Sequence, residues 1–475
     1  MAQRKLNIMN LWVPKETPYR KWILLFSLLL AIFSNRNGLN TNVLSRVSLL
    51  LALSEKHSFE ISPWESLTID WAKTPDGRYY SNKAPGPSFI AAPLFMLLYK
   101  PLHRLLIDPI TDARKRQVAW NNLMSFIMWV LCLVFQIFPF TWVVSRLALL
   151  MKSQSISNEG IFFFLTASMF GNTGDFYMNN FYGHGYAIVF SLAALCFTIT
   201  MSWGYAGLAL GLGVLGDYSS ALLIPLIGIW ILIRERSHLF KVGISVLKGL
   251  IIPFTLFAFY HWKCFGGFAT LPQKFQNPLF VDSKKAFENF GVISWLPDFR
   301  VILELLFGPT RGILFTQPYI LIFVVLILFK IFKNPKRNTF SDDGQFLSIV
   351  SILFFLGLLW MNAGFNGWHG GSAPGPRYLV SAFPCIALAG ALNWNHWGAA
   401  LKKLLWISLV FSVVFFSLVL AAGQAPPESQ SLWGFYSKLW VDGSDTPQFW
   451  YRWIAIWVGL GTMSWVQFNS SRTKV

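Results

Sequence analysis

Long apolar stretches dominate this chain, separated by short polar or glycine-rich connections. From Phe176 to Gly216 there is not one Asp, Glu, Lys or Arg, which is room for two membrane crossings at about 20 residues each. Backbone groups in hydrocarbon must be paired within their own segment, so such runs read as helices. The pattern predicts helical spans near 22–34, 118–144, 161–172, 185–201, 205–215, 219–233, 243–260, 312–332, 346–361, 378–393, 403–422 and 448–467. One further apolar run, Ser88 to Tyr99, reaches only about 18 Å at the helical rise, against a hydrocarbon core of about 30 Å.

Charge decides where that run goes. Clusters that anchor loops to the cytoplasmic side are Arg4, Lys5, Lys15, Arg20 and Lys21, then Arg234, Arg236 and Lys241, then Lys330, Lys333, Lys336 and Arg337, then Lys402 and Lys403, then Arg472 and Lys474. An even number of crossings must separate neighbouring anchors. Between the first cluster and Arg234 the number is even only if 88–99, interrupted by Pro93, stays out of the bilayer as a helix in the outer interface. Lys100, Arg104, Arg114, Lys115 and Arg116 then fall outside, where long segments are partly exempt from the charge rule. The expected fold is an all-α polytopic membrane protein of about 12 transmembrane helices, one domain over residues 1–475, with both termini cytoplasmic. Residues 35–117 form a large first outer loop and 261–311 a second outer segment.

Composition narrows the class. Only 13% of the 475 residues are charged and 54% are hydrophobic. Soluble domains carry about 25% charged residues, so an ordinary soluble enzyme is excluded, as is disorder, which needs the opposite balance. The net charge of +18 points first to loops facing anionic lipid. A nucleic-acid partner is not expected, since no basic, non-apolar domain exists to carry one. Cys132, Cys196, Cys264 and Cys385 have no metal-ligand spacing and read as packing residues. The segment Trp22–Ser34 lacks a small-residue cleavage site and reads as a signal anchor.

Under this parity the polar and glycine-rich pieces nearly all emerge on one side: 35–117, 173–184 (TGDFYMNNFYGH), Gly216-Asp217-Tyr218, 261–311 and 362–377 (NAGFNGWHGGSAPGPR). Discontinuous pieces gathered over one end of a bundle form a candidate site. In 68–89, Pro75-Asp76-Gly77 signals a turn, and Asp70, Lys73, Arg78, Tyr79, Tyr80 and Lys83 surround it. A carboxylate and cations this close can hold a phosphate beside a proton acceptor, but on composition alone a solvated loop with loosely paired charges is the better reading. His184, flanked by glycines that permit close approach, is as well explained as an interfacial anchor. Asp217 next to an apolar run calls for a partner or a function. In 362–377, Asn366, Trp368, His369 and Arg377 are threaded through glycines and prolines, and Arg377 offers a fixed guanidinium for bidentate phosphate contact.

The succession SRVSLLLAL, DWAKTPDGRYYSNKAPG, FYGHGYAIVF, FGPTRGILFTQP and WHGGSAPGPRYLV resembles a group of bacterial polytopic proteins that is similar to the GT-C class of lipid-linked-sugar glycosyltransferases, near the protein mannosyltransferase and aminoarabinose-transferase families. The resemblance runs over roughly residues 20–390, with SNKAPG and GPRY its most specific motifs. It implies a multi-pass protein of the bacterial cytoplasmic membrane. Such a protein transfers a sugar from a polyprenyl-phosphate donor to a glycan, lipid or protein acceptor at the outer face, with inversion. Carried over, it implies Asp70 as base and Arg78, Lys83 and Arg377 near the donor phosphate. His184, Trp368 and His369 would line the sugar pocket, with Tyr80 and Asp217 beside them. The acidic pair usual just beyond the first span is missing, since residues 35–54 contain no carboxylate, and Glu55, Glu60 and Glu65 therefore compete with Asp70. No DxD motif is present and no metal or other cofactor is expected, although some relatives in the class require a metal. The rival from another class is a lipid or lipid-linked-sugar transporter, which predicts inverted repeats and broken, charged helices at the midplane. No internal duplication is visible, and the polar residues collect at one face.

Overall fold

The computed structural model describes residues 39–280, 293–333 and 343–443, with scattered positions between 450 and 461. The span expected at 22–34 lies outside the described residues, and the one at 448–467 is described only at scattered positions. The described chain is helical apart from one two-stranded hairpin. In order, it comprises α1 (Thr41–Leu51), β1 (Trp71–Lys73), β2 (Tyr79–Ser81), α2 (Gly86–Leu106) and α3 (Ala113–Cys132). A π-helical turn, Leu133–Ile137, joins α3 to α4 (Phe138–Ser153). Next come α5 (Asn158–Phe170), α6 (Gly174–Met178), α7 (Gly183–Ile199), α8 (Trp203–Gly216), α9 (Leu223–Arg234) and α10 (Leu239–Phe265). The chain continues with α11 (Phe299–Phe307), α12 (Pro318–Lys333), α13 (Asp343–Ala363), α14 (Phe383–Leu392), α15 (Ala399–Ala422) and α16 (Leu432–Gly443).

Five described helical stretches are long and apolar enough to cross a membrane: Gly86–Leu106, Ala113–Ser153, Arg236–Phe265, Gly344–Ala363 and Ala399–Ala422. Gly183–Ile199, Trp203–Gly216, Tyr218–Arg234 and Phe383–Leu392 are shorter apolar helices. The protein is thus an all-α membrane protein. Two boundaries move for one reason. Helices begin at Pro318 and beside Pro384 rather than at the expected 312 and 378, because proline suits the first helical turn and its missing N–H costs nothing there.

The run expected as a short interfacial helix at 88–99 is instead part of a 21-residue helix, α2, which carries Pro93 and Pro101 in its interior. At about 1.5 Å per residue it is roughly 31 Å long. It is long enough to cross, so length no longer separates it from the other spans. A proline in a helix removes one bond rather than ending the element when neighbours support it, and Ala91, Ala92, Phe95 and Tyr99 of α2 are buried against the bundle.

Packing explains the glycine-rich sequence of the central helices. All ten residues of α14 are buried, and it packs among α5, α12 and α13. A Cβ at Gly390 would collide with the Phe323 ring. Helix α8 is held close to α10, where Gly207 faces the Val246 carbonyl and Gly249 faces that of Gly204. Such small-residue seams let backbones approach where lipid removes the hydrophobic drive for association. The outer side of α10 exposes Phe240, Leu247, Ile251, Ile252 and Phe254. An apolar stripe of that size is a liability in water and the ordinary surface of a helix in hydrocarbon.

Candidate functional site

The hairpin builds the centre of the site. Thr74 to Arg78 close the Pro75-Asp76-Gly77 turn, with Thr74 N donating to Arg78 O at 3.0 Å and Gly77 N to Thr74 O at 2.9 Å. Gly77 has φ +84, a left-handed conformation that favours glycine. The antiparallel register pairs Trp71 with Ser81 and Lys73 with Tyr79. The residues just outside the strands, Asp70 and Asn82-Lys83, therefore come together at the hairpin base. There Lys83 Nζ lies 3.0 Å from Asp70 Oδ1, with both side chains largely buried. Helix α1 fixes the backbone beneath them. Ser45 Oγ donates to Asp70 O at 2.6 Å, and Thr68 Oγ1 donates to Thr41 O at 2.7 Å while accepting from Asp70 N at 3.0 Å.

These residues open onto a cavity of about 1060 Å³. Its wall is assembled from 39–44, 69–70 and 82–83, from Phe176 and Tyr182, from 276–280, from 365–378 and from 423–428. Segments from four of the stretches expected to converge do so. The fifth, at Gly216–Tyr218, lies behind the wall through Asp217. The piece at 423–428 was not anticipated. Asp70, Lys83, His369 and Arg377 all line the cavity, whereas Glu55, Glu60 and Glu65 do not.

Arg377 brings a further positive charge to the cavity. Its Nη2 donates to the Tyr378 hydroxyl at 2.8 Å and its guanidinium lies 4.8 Å from the centre of that ring. Nε has no hydrogen-bond partner, and no carboxylate pairs with Arg377 among the described residues. Gly370, at φ +73, makes room for it, since a Cβ there would stand 2.7 Å from Arg377 Nε. Asn82 and Asn366 also line the cavity, and each has a buried amide atom, Asn82 Oδ1 and Asn366 Nδ2, that is unpartnered among the described residues.

Burial pushes the Asp70 carboxyl up, but the charge and hydrogen bond of Lys83, helped by Arg377, more than offset it and hold Asp70 below the usual carboxylate range. Burial pushes Lys83 down, and the attraction of Asp70 does not fully compensate because Arg377 and Arg46 repel it. Asp70 is therefore the settled anion, and Lys83 is the strained member of the pair.

His184 and Asp217 form a second pair, Nδ1 to Oδ2 at 2.6 Å, but behind the wall rather than on it. Asp217 Oδ1 also accepts from Ser219 N at 3.1 Å and Ser219 Oγ at 2.8 Å. The His184 ring packs edge-on to Tyr378 at 5.7 Å and lies 6.1 Å from Tyr182, both of which line the cavity. The pair thus supports the wall that carries Arg377.

Three expected site residues lie elsewhere. Arg78 is exposed at the hairpin tip, paired with Asp76, because the tight turn points both side chains outward. Tyr80 is buried away from the cavity, its ring 5.6 Å from Phe265, where it joins its cross-strand partner Ala72 in a small core. Trp368 packs against the main core and edge-on to His369 instead of lining the cavity.

Two residues that sequence reasoning passed over organise the loops. Arg311 is fully buried and donates to the carbonyls of His369 at 2.9 Å, Thr310 at 2.6 Å, Gly371 at 2.8 Å and Pro426 at 3.4 Å. It ties the 362–377 loop to the segment leading to Glu428. Glu428 Oε2 lies 2.8 Å from His369 Nδ1 at the rim, and Gly371 N lies 2.9 Å from the same nitrogen. The motif TRG offered a signal for Arg311; nothing local marked Glu428. Among the described residues no group of three or more His, Cys, Asp or Glu could hold a metal ion. No family model matches the chain, nor does any curated protein or solved structure.

Proposed function

We propose that the protein transfers a sugar from a polyprenyl-phosphate carrier to an acceptor hydroxyl at the outer face of a bacterial cytoplasmic membrane, as a GT-C-like enzyme of about 12 spans with cytoplasmic termini. One observation carries this reading. An ionised, largely buried carboxylate, Asp70, shares a cavity with Arg377, a guanidinium that has no acidic partner among the described residues. A phosphate supplies the missing anion. Asn82 and Asn366 line the same cavity and each holds an unpartnered amide atom just beneath its surface; a side-chain turn toward a polyhydroxyl ring would satisfy them, and buried polar atoms gain most from finding such partners.

In this scheme the donor phosphate contacts Arg377 and draws Lys83 away from Asp70. Loss of its counter-ion makes Asp70 a stronger base at the moment it is needed. The acceptor hydroxyl gives its proton to Asp70 as its oxygen attacks the anomeric carbon from the face opposite the phosphate. The bond from that carbon to the phosphate oxygen breaks, and its electron pair stays on the phosphate, where Arg377 and Lys83 stabilise the charge. The product is inverted.

The test is to incubate the purified protein with a panel of radiolabelled polyprenyl-phosphate sugars and an acceptor extract. The expected outcome is label moving from lipid to acceptor or water for one donor. If every donor stays intact while liposomes containing the protein move the whole lipid across, the transporter reading replaces this one.

A further inference from the structure

A second pocket, of about 310 Å³, lies away from the large cavity, between α1, α2, α3 and the turn Ser62–Leu67. Its walls are aromatic: Trp64, Tyr99 and Trp120. Its polar side is formed by His103, Arg116 and Gln117. Helix geometry explains the arrangement, because Tyr99 and His103 stand one turn apart on one face of α2 and its C-cap residue Ile107 follows at the same spacing. The Tyr99 and His103 rings lie 5.3 Å apart. Arg116 is fixed by donating Nε to Ile110 O at 2.8 Å, which folds the connection between α2 and α3 over the pocket.

Charge around this opening is unbalanced. Residues 100–116 hold Lys100, Arg104, Arg114, Lys115 and Arg116 against Asp108 and Asp112. Both acids are engaged: Asp108 pairs with His103 at 3.1 Å, and Asp112 caps α3 by accepting from Lys115 N at 2.7 Å. Lys100, Arg104 and the run 114–116 are exposed. Leu97 and Leu105, on the other face of α2, are exposed at 69% and 71%, as suits a helix bathed in hydrocarbon rather than water. Aromatic residues and cations over an apolar surface make the composition of a membrane interface.

We propose that this pocket holds the headgroup of an anionic glycerophospholipid from the surrounding bilayer. Its phosphate lies against Arg116, its glycerol region packs on Trp64, Tyr99 and Trp120, and its acyl chains run into the bilayer beside α2. The occupant follows from charge complementarity. The cation excess selects an anionic over a zwitterionic lipid, and a pocket of this size takes a headgroup rather than whole chains. This site serves to seat the first loop and α2 against the bilayer, independently of any chemistry in the large cavity.

The experiment uses the full chain, purified and delipidated, titrated with phosphatidylglycerol or phosphatidylcholine of identical acyl chains and examined by native mass spectrometry. Wild type is expected to retain phosphatidylglycerol at least fivefold better, with the preference shrinking as salt rises. The exposed-charge variant Arg114→Gln/Lys115→Gln/Arg116→Gln should bring the two lipids close to parity, at about fivefold per neutralised charge nearest the phosphate. Trp120→Leu should weaken both lipids together. Arg116→Lys, which keeps the charge, should retain the preference and serves as the folding control. Equal retention of the two lipids by wild type overturns the proposal. So does a preference that survives the triple variant and disappears in Arg377→Gln, which assigns the anionic lipid to the large cavity.

Discussion

The β1–β2 hairpin carries an aspartate–cation pair at each end. At the base, Asp70 and Lys83 are 10% and 18% exposed and face the cavity. At the tip, Asp76 and Arg78 are 47% and 53% exposed and face outward. The residue types are alike and the pairs are only a few positions apart, yet their environments differ in the one respect that changes their chemistry. The tip pair is screened by water and worth little. The base pair has traded solvation for each other, so an arriving anion that takes Lys83 alters the basicity of Asp70 directly.

The largest expected effect follows from that contrast. Asp70→Asn should lower sugar transfer by about 10²- to 10⁴-fold, the usual span for a lost general base, whereas Asp76→Asn should stay within about twofold. Membrane insertion and expression should be unchanged in both. Equal losses in the two variants would remove any distinction between base and tip. The pair also leaves a pH signature. Because the folded Asp70 is held below its ordinary value of about 3.9, its contribution to stability is complete above that value and fades as pH falls through the lower, folded one. Thermal unfolding of wild type should show this acid-side loss, and Asp70→Asn should show a smaller one, since Asp76 and Asp217 are also held below the usual carboxylate range.

A smaller effect is expected at Arg377. Lysine keeps the positive charge but replaces a planar fork with a point charge, so Arg377→Lys should reduce kcat/KM for the lipid donor by about tenfold, roughly the worth of one charge-assisted hydrogen bond. An unchanged kcat and donor KM would deny this guanidinium a phosphate role and return the weight of the site to the hairpin base.

How far these positions were legible in the sequence depends on the range of the interaction. Helices at 161–172, 185–201, 205–215, 346–361 and 403–422 were visible because apolar runs are a local property, and the described helices fall within a few residues of them. The Pro75-Asp76-Gly77 turn was visible for the same reason. Its consequence, that Asp70 meets Lys83, was not, because strands of three residues are too short to show a register, and the small core that takes Tyr80 is built with Tyr260 and Phe265 from a distant helix. The apolar run Ser88–Tyr99 shows only the uncharged part of α2, and packing against the bundle carries the helix on through Lys100 and Pro101. Glu428 and the carbonyls around Arg311 were beyond sequence reading altogether. Apart from the neighbouring Thr310 carbonyl, Arg311 meets its partners across 58 to 115 positions of chain, and no local pattern encodes such a contact.

The smallest expected effect separates the cavity wall from its support. Asp217 does not touch the cavity, but it fixes the His184 tautomer by accepting from Nδ1, and the His184 ring backs Tyr378, the residue that holds Arg377 Nη2. Asp217→Asn removes the carboxylate while keeping the shape, and the neighbouring Ser219 contacts keep the turn in place. A support that acts through geometry should lower donor kcat/KM by about two- to fivefold, chiefly through KM, and should leave the pH dependence of transfer where wild type has it. A group that takes part in proton transfer would instead lower kcat and move that profile. Asp70 and Asp217 are both largely buried acids paired with a base, so the pH profile, more than the size of the loss, tells a cavity-facing acid from a buttress. If Asp217→Asn shifts the profile as far as loss of Asp70 does, the proton relay runs through His184, and the division between hairpin base and supporting wall fails.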